Sequence, residues 1–261
     1  MAKQGVVYVE PRASNWRQEA RWEIPGVSYR GNVGKYAILK KMTPPLIQEK
    51  LAELYEKEKQ AGNPRPTDAP LLWANISQAC KIGGDTKNLI ASLQKGIRGW
   101  SNTLSQAVYS PLRDRAVHNA NTSDEYTIQG RLVGPDGFIK DIPDKHILEM
   151  ILANKNVEEI DNVSQKVNST LMYLWRVNSK SGEEVSKVVV FYADSDRLYL
   201  NFSRYLCNQI PAFRVLQIEL IVSFARLKLF FLAKCFLTLA NEKNLNRIFF
   251  LSLPRVFSNN F

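Results

Sequence analysis

Three groups of carboxylates are the first residues that could do chemistry: Glu158, Glu159 and Asp161; Glu183 and Glu184; Asp194 and Asp196. Carboxylates beside a lysine can hold Mg²⁺ for phosphodiester cleavage, and Glu184 with Lys187 at the start of an expected strand offers such a set. The spacing is not the usual Glu-x-Lys, and hairpin turns need Asp, Ser and Gly for their own geometry. His118 and His146 are the only histidines, and His146 follows Lys145 at the start of an amphipathic helix, where a surface position is expected. Cys80, Cys207 and Cys235 make no CxxC pair, so a zinc site of the usual Cys/His spacing is excluded. No GxSxG, HExxH or P-loop occurs. The "GGDTK" at 83–87 lacks the Gly-Lys-Ser/Thr ending, and Asp85 would repel an anion there. The reading is therefore non-enzymatic, with no cofactor and no metal, and a Mg²⁺-dependent nuclease ranks third among the functions considered.

The stretch "ISQACKIGGDTKNLIASLQKG", Ile76 to Gly96, carries the sharpest binding pattern. It resembles a helix-turn-helix: a small Ala79 in the first helix, Gly83 or Gly84 at the turn, and Ile90 and Leu93 as anchors of the second. Counting from Gly83 puts Ser92 at an anchor position; counting from Gly84 restores Ile90 and Leu93 at the cost of a longer turn. The second helix would present Thr86, Lys87, Asn88, Gln94 and Lys95, with Arg98 farther along, to phosphates and base edges. The plainer alternative is a helical hairpin that packs a core. A second candidate is the N-terminal segment in which Arg12, Trp16, Arg17, Arg21, Trp22, Tyr29 and Arg30 interleave, since bases stack on rings while arginines hold phosphate. Its alternative is that the rings bury, the arginine stems cover them, and Glu10, Glu19 and Glu23 pair with the guanidinium groups.

The elements that would position these residues follow from periodicity. "GVVYVE" at 5–10 and "GKYAILKK" at 34–41 read as strands. Thr43 before Pro44 and Pro45 is a helix-start signal, with Ile47, Leu51 and Leu54 on one stripe and Glu53 able to pair with Lys57. Asp68 can cap a helix through "APLLWANISQACKI", stopped by Gly83 and Gly84. Leu89, Leu93, Ile97, Trp100, Leu104 and Val108 then recur at steps of three and four, which predicts one long helix, weakened in its middle by Gly96 and Gly99 and open to a bend there. "SPLRDRAVHNA" reads as another short helix. "EYTIQGRLVGPDGFIKDIP" reads as a strand, a turn and a second strand, and "DKHILEMILAN" as a helix capped near Asp144. "LMYLWRVN", "SKVVVFYA" and "RLYLNFS" read as a three-strand antiparallel meander with both faces fairly apolar.

The totals bound these readings. The chain has 261 residues, 45% hydrophobic and 23% charged, enough for a buried core. Its net charge of +10 suits nucleic acid, an anionic surface or an acidic protein. The charge is segmented: residues 1–42 carry eight Lys/Arg against three Asp/Glu, residues 121–206 ten against thirteen, and residues 207–261 seven against two. The fold class expected is α+β. A basic strand and loop segment (1–42) precedes a helical region (43–120) with the helix-turn-helix-like hairpin. An antiparallel α+β region (121–206) with a β-hairpin, a helix and the meander follows, then a basic apolar tail (207–261). For that tail a helix packed on the meander, an interfacial helix and a non-native reading frame all stand open. No charge-free run reaches the ~20 residues of a membrane span. The start has no apolar leader-like run and cysteines are sparse, so the compartment expected is reducing and cytoplasmic. The function expected is nucleic-acid binding, DNA first and regulatory in kind. The alternative is a structural or protein-interaction module that meets its partner through the meander or the tail.

Overall fold

A computed structural model describes residues 5–9, 19–179 and 182–221. Its first strands are β1 (Val7–Val9), β2 (Arg21–Tyr29) and β3 (Asn32–Leu39). β2 lies between the two strands expected from sequence and pairs with both. Its turn to β3 is Arg30-Gly31, with φ of 49° and 75°. Two consecutive positive φ values make the two-residue turn whose twist matches the flanking strands. Helix α1 (Gln48–Gln60) starts later than the Thr43 signal suggests. The Thr43 hydroxyl instead accepts the Ala212 N–H at 2.8 Å. The buried side of α1 is Gln48, Leu51, Ala52 and Tyr55, and Glu53 pairs with Lys50 rather than Lys57.

After β4 (Arg65–Pro66) comes α2 (Ala69–Ile82), where the sequence signals hold. Asp68 accepts the Leu71 N–H at 2.8 Å, and Gly83 ends the helix with φ 74°. α2 is buried on most sides, as an apolar helix must be. Trp73 stacks on Phe191 at 6.2 Å between ring centres. Helix α3 (Thr86–Arg98) buries Leu89, Leu93 and Ile97.

The helical N-terminal half is overturned at the end of α3. Gly99 caps it, Trp100 takes φ 66°, and the chain continues as β5 (Ser101–Tyr109). The expected long helix rested on Trp100, Leu104 and Val108 at steps of four. A step of four also returns to the same face of a strand, so the pattern cannot separate the two. The short helix expected at 110–120 is likewise a turn and β6 (Arg115–His118). The buried Asp114 carboxylate takes the N–H groups of Ser110, Leu132 and Val133, which fixes that turn.

Strands β7 (Tyr126–Gln129) and β8 (Gly137–Phe138) exist, but the expected β-hairpin does not. They sit at opposite edges of one sheet. Asp114 and Asp136 draw the intervening backbone elsewhere, Asp136 accepting the Arg176 N–H at 2.8 Å. Helices α4 (His146–Leu152) and α5 (Val157–Asn168) follow, the second capped by Asn156. Strands β9 (Met172–Trp175), β10 (Val185–Ala193) and β11 (Leu198–Arg204) replace the meander with another order. β10 and β11 form the antiparallel hairpin, but β9 joins β11 in parallel. β5 already occupies the other edge of β10, which leaves β9 only β11. The last strand, β12 (Arg214–Ile221), belongs to the segment read as tail and pairs with β3 and β4.

Among the described residues the result is mixed α/β: a five-stranded sheet in the order β1-β2-β3-β12-β4 and a seven-stranded sheet in the order β7-β6-β5-β10-β11-β9-β8. Residues up to Ile221 form one compact unit. α2 packs on β2 of the first sheet and touches β5 of the second, and one apolar cluster runs through both. The rest of the tail, Val222–Phe261, lies outside the described residues, as do the readings made for it. No helix among the described residues is long and apolar enough to cross a membrane.

Candidate binding face

The sequence-predicted contacts are divided by the structure. Arg12 and Arg17 lie outside the described residues. Arg21 is half-buried in β2 and pairs with Glu23 at 3.0 Å. Thr86 donates to the Ala79 carbonyl and Gln94 to Asn168, so both are engaged within the fold. Lys87, Asn88, Lys95 and Arg98 are exposed on α3, and among the described residues no carboxylate pairs with the three cations. They form a basic stripe opposite Leu89, Leu93 and Ile97. The glycine turn before α3 is tied to β1: Val6 N–H donates to the Gly83 carbonyl at 2.8 Å and Asp85 N–H to the Val6 carbonyl at 2.9 Å. α2 packs mainly on β2 and α4, α3 on α5 and β10.

The catalytic-looking side chains are held in structural bonds. Glu184 receives both Nη atoms of Arg115 at 2.8 Å, and this pairing holds its carboxyl below the usual range. Asp194 turns the β10–β11 hairpin by accepting the Asp196 and Arg197 N–H groups at 2.8 Å. Burial raises its pKa, but those two N–H bonds, the Tyr199 hydroxyl and the Arg197 charge together hold it below the usual range. Ser105 and His118 lie 2.7 Å apart, a pairing the sequence did not reveal. Both are fully buried; the other ring nitrogen of His118 meets the Met150 carbonyl at 2.8 Å and Ser105 accepts the Ala69 N–H. Burial lowers the His118 pKa and keeps the ring neutral. A Ser–His pair sealed in this way is a satisfied core network with no room for a reacting group. Among the described residues no three His, Cys, Asp or Glu side chains gather to hold a metal ion.

The concentration of binding chemistry lies on the outer face of the seven-stranded sheet. Along β9, β10 and β11, residues alternate between aliphatic or Phe positions facing the core and Tyr or Trp positions facing out. Met172, Leu174, Phe191, Leu198 and Leu200 are buried, whereas Tyr173, Tyr192 and Tyr199 are half-exposed and Trp175 is 40% exposed. Register sets the outer residues in a row. Tyr192 is opposite Tyr199, Tyr199 opposite Tyr173, and Tyr173 opposite Phe138 of β8. Trp100, just before β5, extends the row and stacks on Tyr192 at 4.0 Å. Successive ring centres are then 5.5 Å (Tyr192–Tyr199), 5.6 Å (Tyr199–Tyr173) and 5.3 Å (Tyr173–Phe138). Trp175 lies beside the row, 5.8 Å from Tyr199.

Two guanidinium groups lie on these rings. Arg204 covers Trp100 at 4.0 Å, and Arg197 covers Tyr173 at 4.5 Å and Phe138 at 5.5 Å. Cation–π contact of this kind holds the planar group while its edge keeps hydrogen-bond donors. Beside the Arg204 end, Lys187 sits 3.4 Å over the ring of Tyr205, which is 64% exposed. The inner stack (Trp100, Tyr192, Tyr199) presents ring edges and the Tyr192 hydroxyl, the Tyr199 hydroxyl being given to Asp194, and Trp175 keeps the freest ring. Sequence reasoning missed this face, although the signal was there: "MYLW" and "LYL" alternate aromatic with aliphatic residues, as a strand with one solvent-facing aromatic side would.

Compared with known proteins, the chain matches no family, no curated protein and no solved structure. The functional reading therefore stands on this geometry.

Proposed function

We propose that the protein binds nucleic acid through the outer face of its seven-stranded sheet. The observation that carries this is the row Trp100–Tyr192–Tyr199–Tyr173–Phe138, with Arg204 and Arg197 seated on its two ends. A sheet face that combines aromatic rings with arginine planes suits splayed bases, and bases are available to it only when unpaired. Single strands are therefore the preferred form. Lys87, Lys95 and Arg98 on α3 add phosphate contacts, Arg98 standing two residues before Trp100 at the end of the row. The binding is non-enzymatic and its purpose regulatory. A reducing compartment such as the cytoplasm suits Cys80 and Cys207, both free thiols.

Fluorescence anisotropy of the full chain with labelled single-stranded and duplex oligonucleotides at several salt concentrations tests the reading. Trp175→Ala is expected to weaken single-strand binding by about 1–3 kcal/mol, the usual worth of one stacked base. Arg197→Ala and Arg204→Ala are each expected to flatten the salt dependence by about 0.7, the value of one phosphate contact on a single strand. Absence of binding at low salt, or variants that bind like the parent, would overturn it.

A second reading, a protein-interaction face, is favoured by one observation. Trp175 and Tyr205 are the large exposed aromatics of this region, and Trp, Tyr and Arg dominate protein–protein hot spots. Static light scattering discriminates: a homotypic assembly dispersed by Trp175→Ala with no oligonucleotide affinity supports this reading over the first.

A further inference from the structure

A separate cavity of about 370 Å³ lies beside the five-stranded sheet, lined by Tyr29, Arg30, Tyr55, Arg65, Thr67 and Asn119 among others. Its two arginines are arranged alike. Arg30 stacks on Tyr126 at 4.2 Å and Arg65 on Tyr55 at 5.1 Å, and neither forms an ion pair among the described residues. Stacking occupies the guanidinium face and leaves in-plane donors for a ligand, apart from the one that Arg65 gives to the Tyr55 hydroxyl. The carboxylate that lines the cavity, Asp124, is already neutralised. Lys59 pairs with it at 2.7 Å and the Tyr55 hydroxyl donates to it. The nearby Asp68 is buried and accepts the Tyr29 hydroxyl and the Leu71 N–H.

A third group makes the site incomplete as it stands. Thr67 is 3% exposed, lines the same cavity, and its hydroxyl oxygen has no hydrogen-bond partner. A buried hydroxyl left without a partner is uncommon and calls for an explanation. The larger neighbouring cavity, about 480 Å³, shares Arg30 and is lined by Trp73, whose buried indole N–H also lacks a partner, but its acidic end is closed. There Glu159 accepts from Lys81, Ser77 and Asn154, and these groups satisfy one another.

We infer that the Arg30–Arg65–Thr67 cavity is a binding site for the phosphoryl group of a small ligand. A phosphate offers acceptor oxygens on several sides, which two guanidinium edges and one hydroxyl can meet together. The volume is at the small end of ligand cavities, which suits inorganic phosphate or a mononucleotide rather than a polymer. The tyrosine rings of Tyr29, Tyr36 and Tyr55 line the remainder and suit a planar base or a similar ring. The site shares no residue with the aromatic row, so it stands or falls independently of the proposed function.

The test is isothermal titration calorimetry of the full chain with inorganic phosphate, adenosine 5′-monophosphate and adenosine as probes. Saturable binding of phosphate alone identifies a free oxyanion. Tighter binding of the monophosphate than of phosphate identifies a nucleotide-like ester. Both support the site, provided adenosine binds more weakly than the monophosphate; equal binding of the two overturns it. Arg65→Lys and Arg30→Lys keep the charge but lose the planar fork, and each is expected to weaken binding about tenfold or more. Thr67→Val separates ligand binding from structure. Its hydroxyl has no partner in the free protein, so the melting temperature is expected to hold or rise while affinity falls severalfold. Failure of phosphate and the monophosphate to bind at millimolar concentration overturns the inference, as does binding indifferent to both arginine changes.

Discussion

Lowering the pH should destabilise this protein in a window set by one residue. His118 is fully buried, its ring lies between the Ser105 hydroxyl and the Met150 carbonyl, and burial depresses its pKa below the ordinary 6.5. A depressed histidine contributes stability that is fully present above the unfolded pKa and is lost as pH falls toward the folded one. In that interval the unfolded chain binds one more proton, so each pH unit costs up to about 1.4 kcal/mol. Between pH 7.5 and 5.5 the loss should reach as much as about 1.4 kcal/mol, since only the second half of that interval lies below the unfolded value. Urea unfolding followed by tryptophan fluorescence reads this as a fall in midpoint with little change in slope. The carboxylates held below their ordinary range, Glu23, Asp124 and Glu159, act at lower pH. Each lends stability above its unfolded pKa and loses it only as pH falls further. His118→Asn should flatten the response between pH 7.5 and 5.5. It should also cost about 1–3 kcal/mol at neutral pH, because Ser105 or Met150 is left without a partner. A parent protein with a level midpoint across this window would refute the argument from burial.

Three further outcomes follow from the same geometry. Gly84 has φ 82°, and a Cβ there would collide with the Val6 backbone. Gly84→Ala should therefore lower stability by more than the roughly 1–2 kcal/mol of a left-handed alanine, whereas Gly62→Ala, at φ 67° in open space, should cost only that amount. Chemical denaturation of the two variants checks the ordering. Burial raises the Cys80 thiol to about 11, while Cys207 is exposed. In a Cys235→Ser background, a thiol reagent at pH 8 should label Cys207 quickly and Cys80 only on unfolding, as peptide mass mapping would show. Replacing Lys87, Lys95 and Arg98 together by Ala touches only exposed positions, so each change should move stability by no more than about 0.5 kcal/mol. A cooperative loss of the helix signal in circular dichroism would contradict the solvent-facing assignment of that stripe.

Local signals in the sequence were reliable where one element carries its own evidence. The Asp68 cap, the glycine stop after Ile82, the apolar stripe Leu89–Leu93–Ile97, helix α4 and the β10–β11 hairpin were all legible because each depends on neighbours within a few residues. The failures lie where a pattern has two meanings or a partner is distant. Steps of four at Trp100, Leu104 and Val108 fit a strand as well as a helix, and Gly96 and Gly99 announced a bend rather than the left-handed turn at Trp100 that ends the helix. The edge positions of β7 and β8, and the parallel pairing of β9 with β11, depend on which strand reaches a free edge first. That is decided by β5, far away in the chain from β9. Likewise, β12 completes the first sheet from a segment whose composition set it apart.

The candidate site was hidden for an electrostatic reason as well. Residues 121–206 are net acidic, so they attract no attention as a surface for an anion. Formal charge, however, counts groups without asking what they touch. Glu184 is neutralised by Arg115, Glu159 by Lys81, Asp194 closes a turn, and Asp161 accepts the Met172 N–H. These carboxylates are held by partners within the fold. Arg197 and Arg204 instead rest on aromatic faces, and among the described residues neither is closed into an ion pair, although the Asp194 carboxylate stands near Arg197. The field near the row thus depends on where two arginines are held on rings and on Asp194 beside one of them, which the segment's net charge conceals. Exchanging them tests this: Arg197→Gln with Arg204→Gln keeps a polar, hydrogen-bonding side chain but removes both charges. If the argument holds, the double variant retains its fold and loses the salt dependence of oligonucleotide binding far more than any pair of cations chosen from the acidic segment by count alone. Equal losses from Lys155→Gln with Lys166→Gln would show that total charge, and not placement on the rings, governs the interaction.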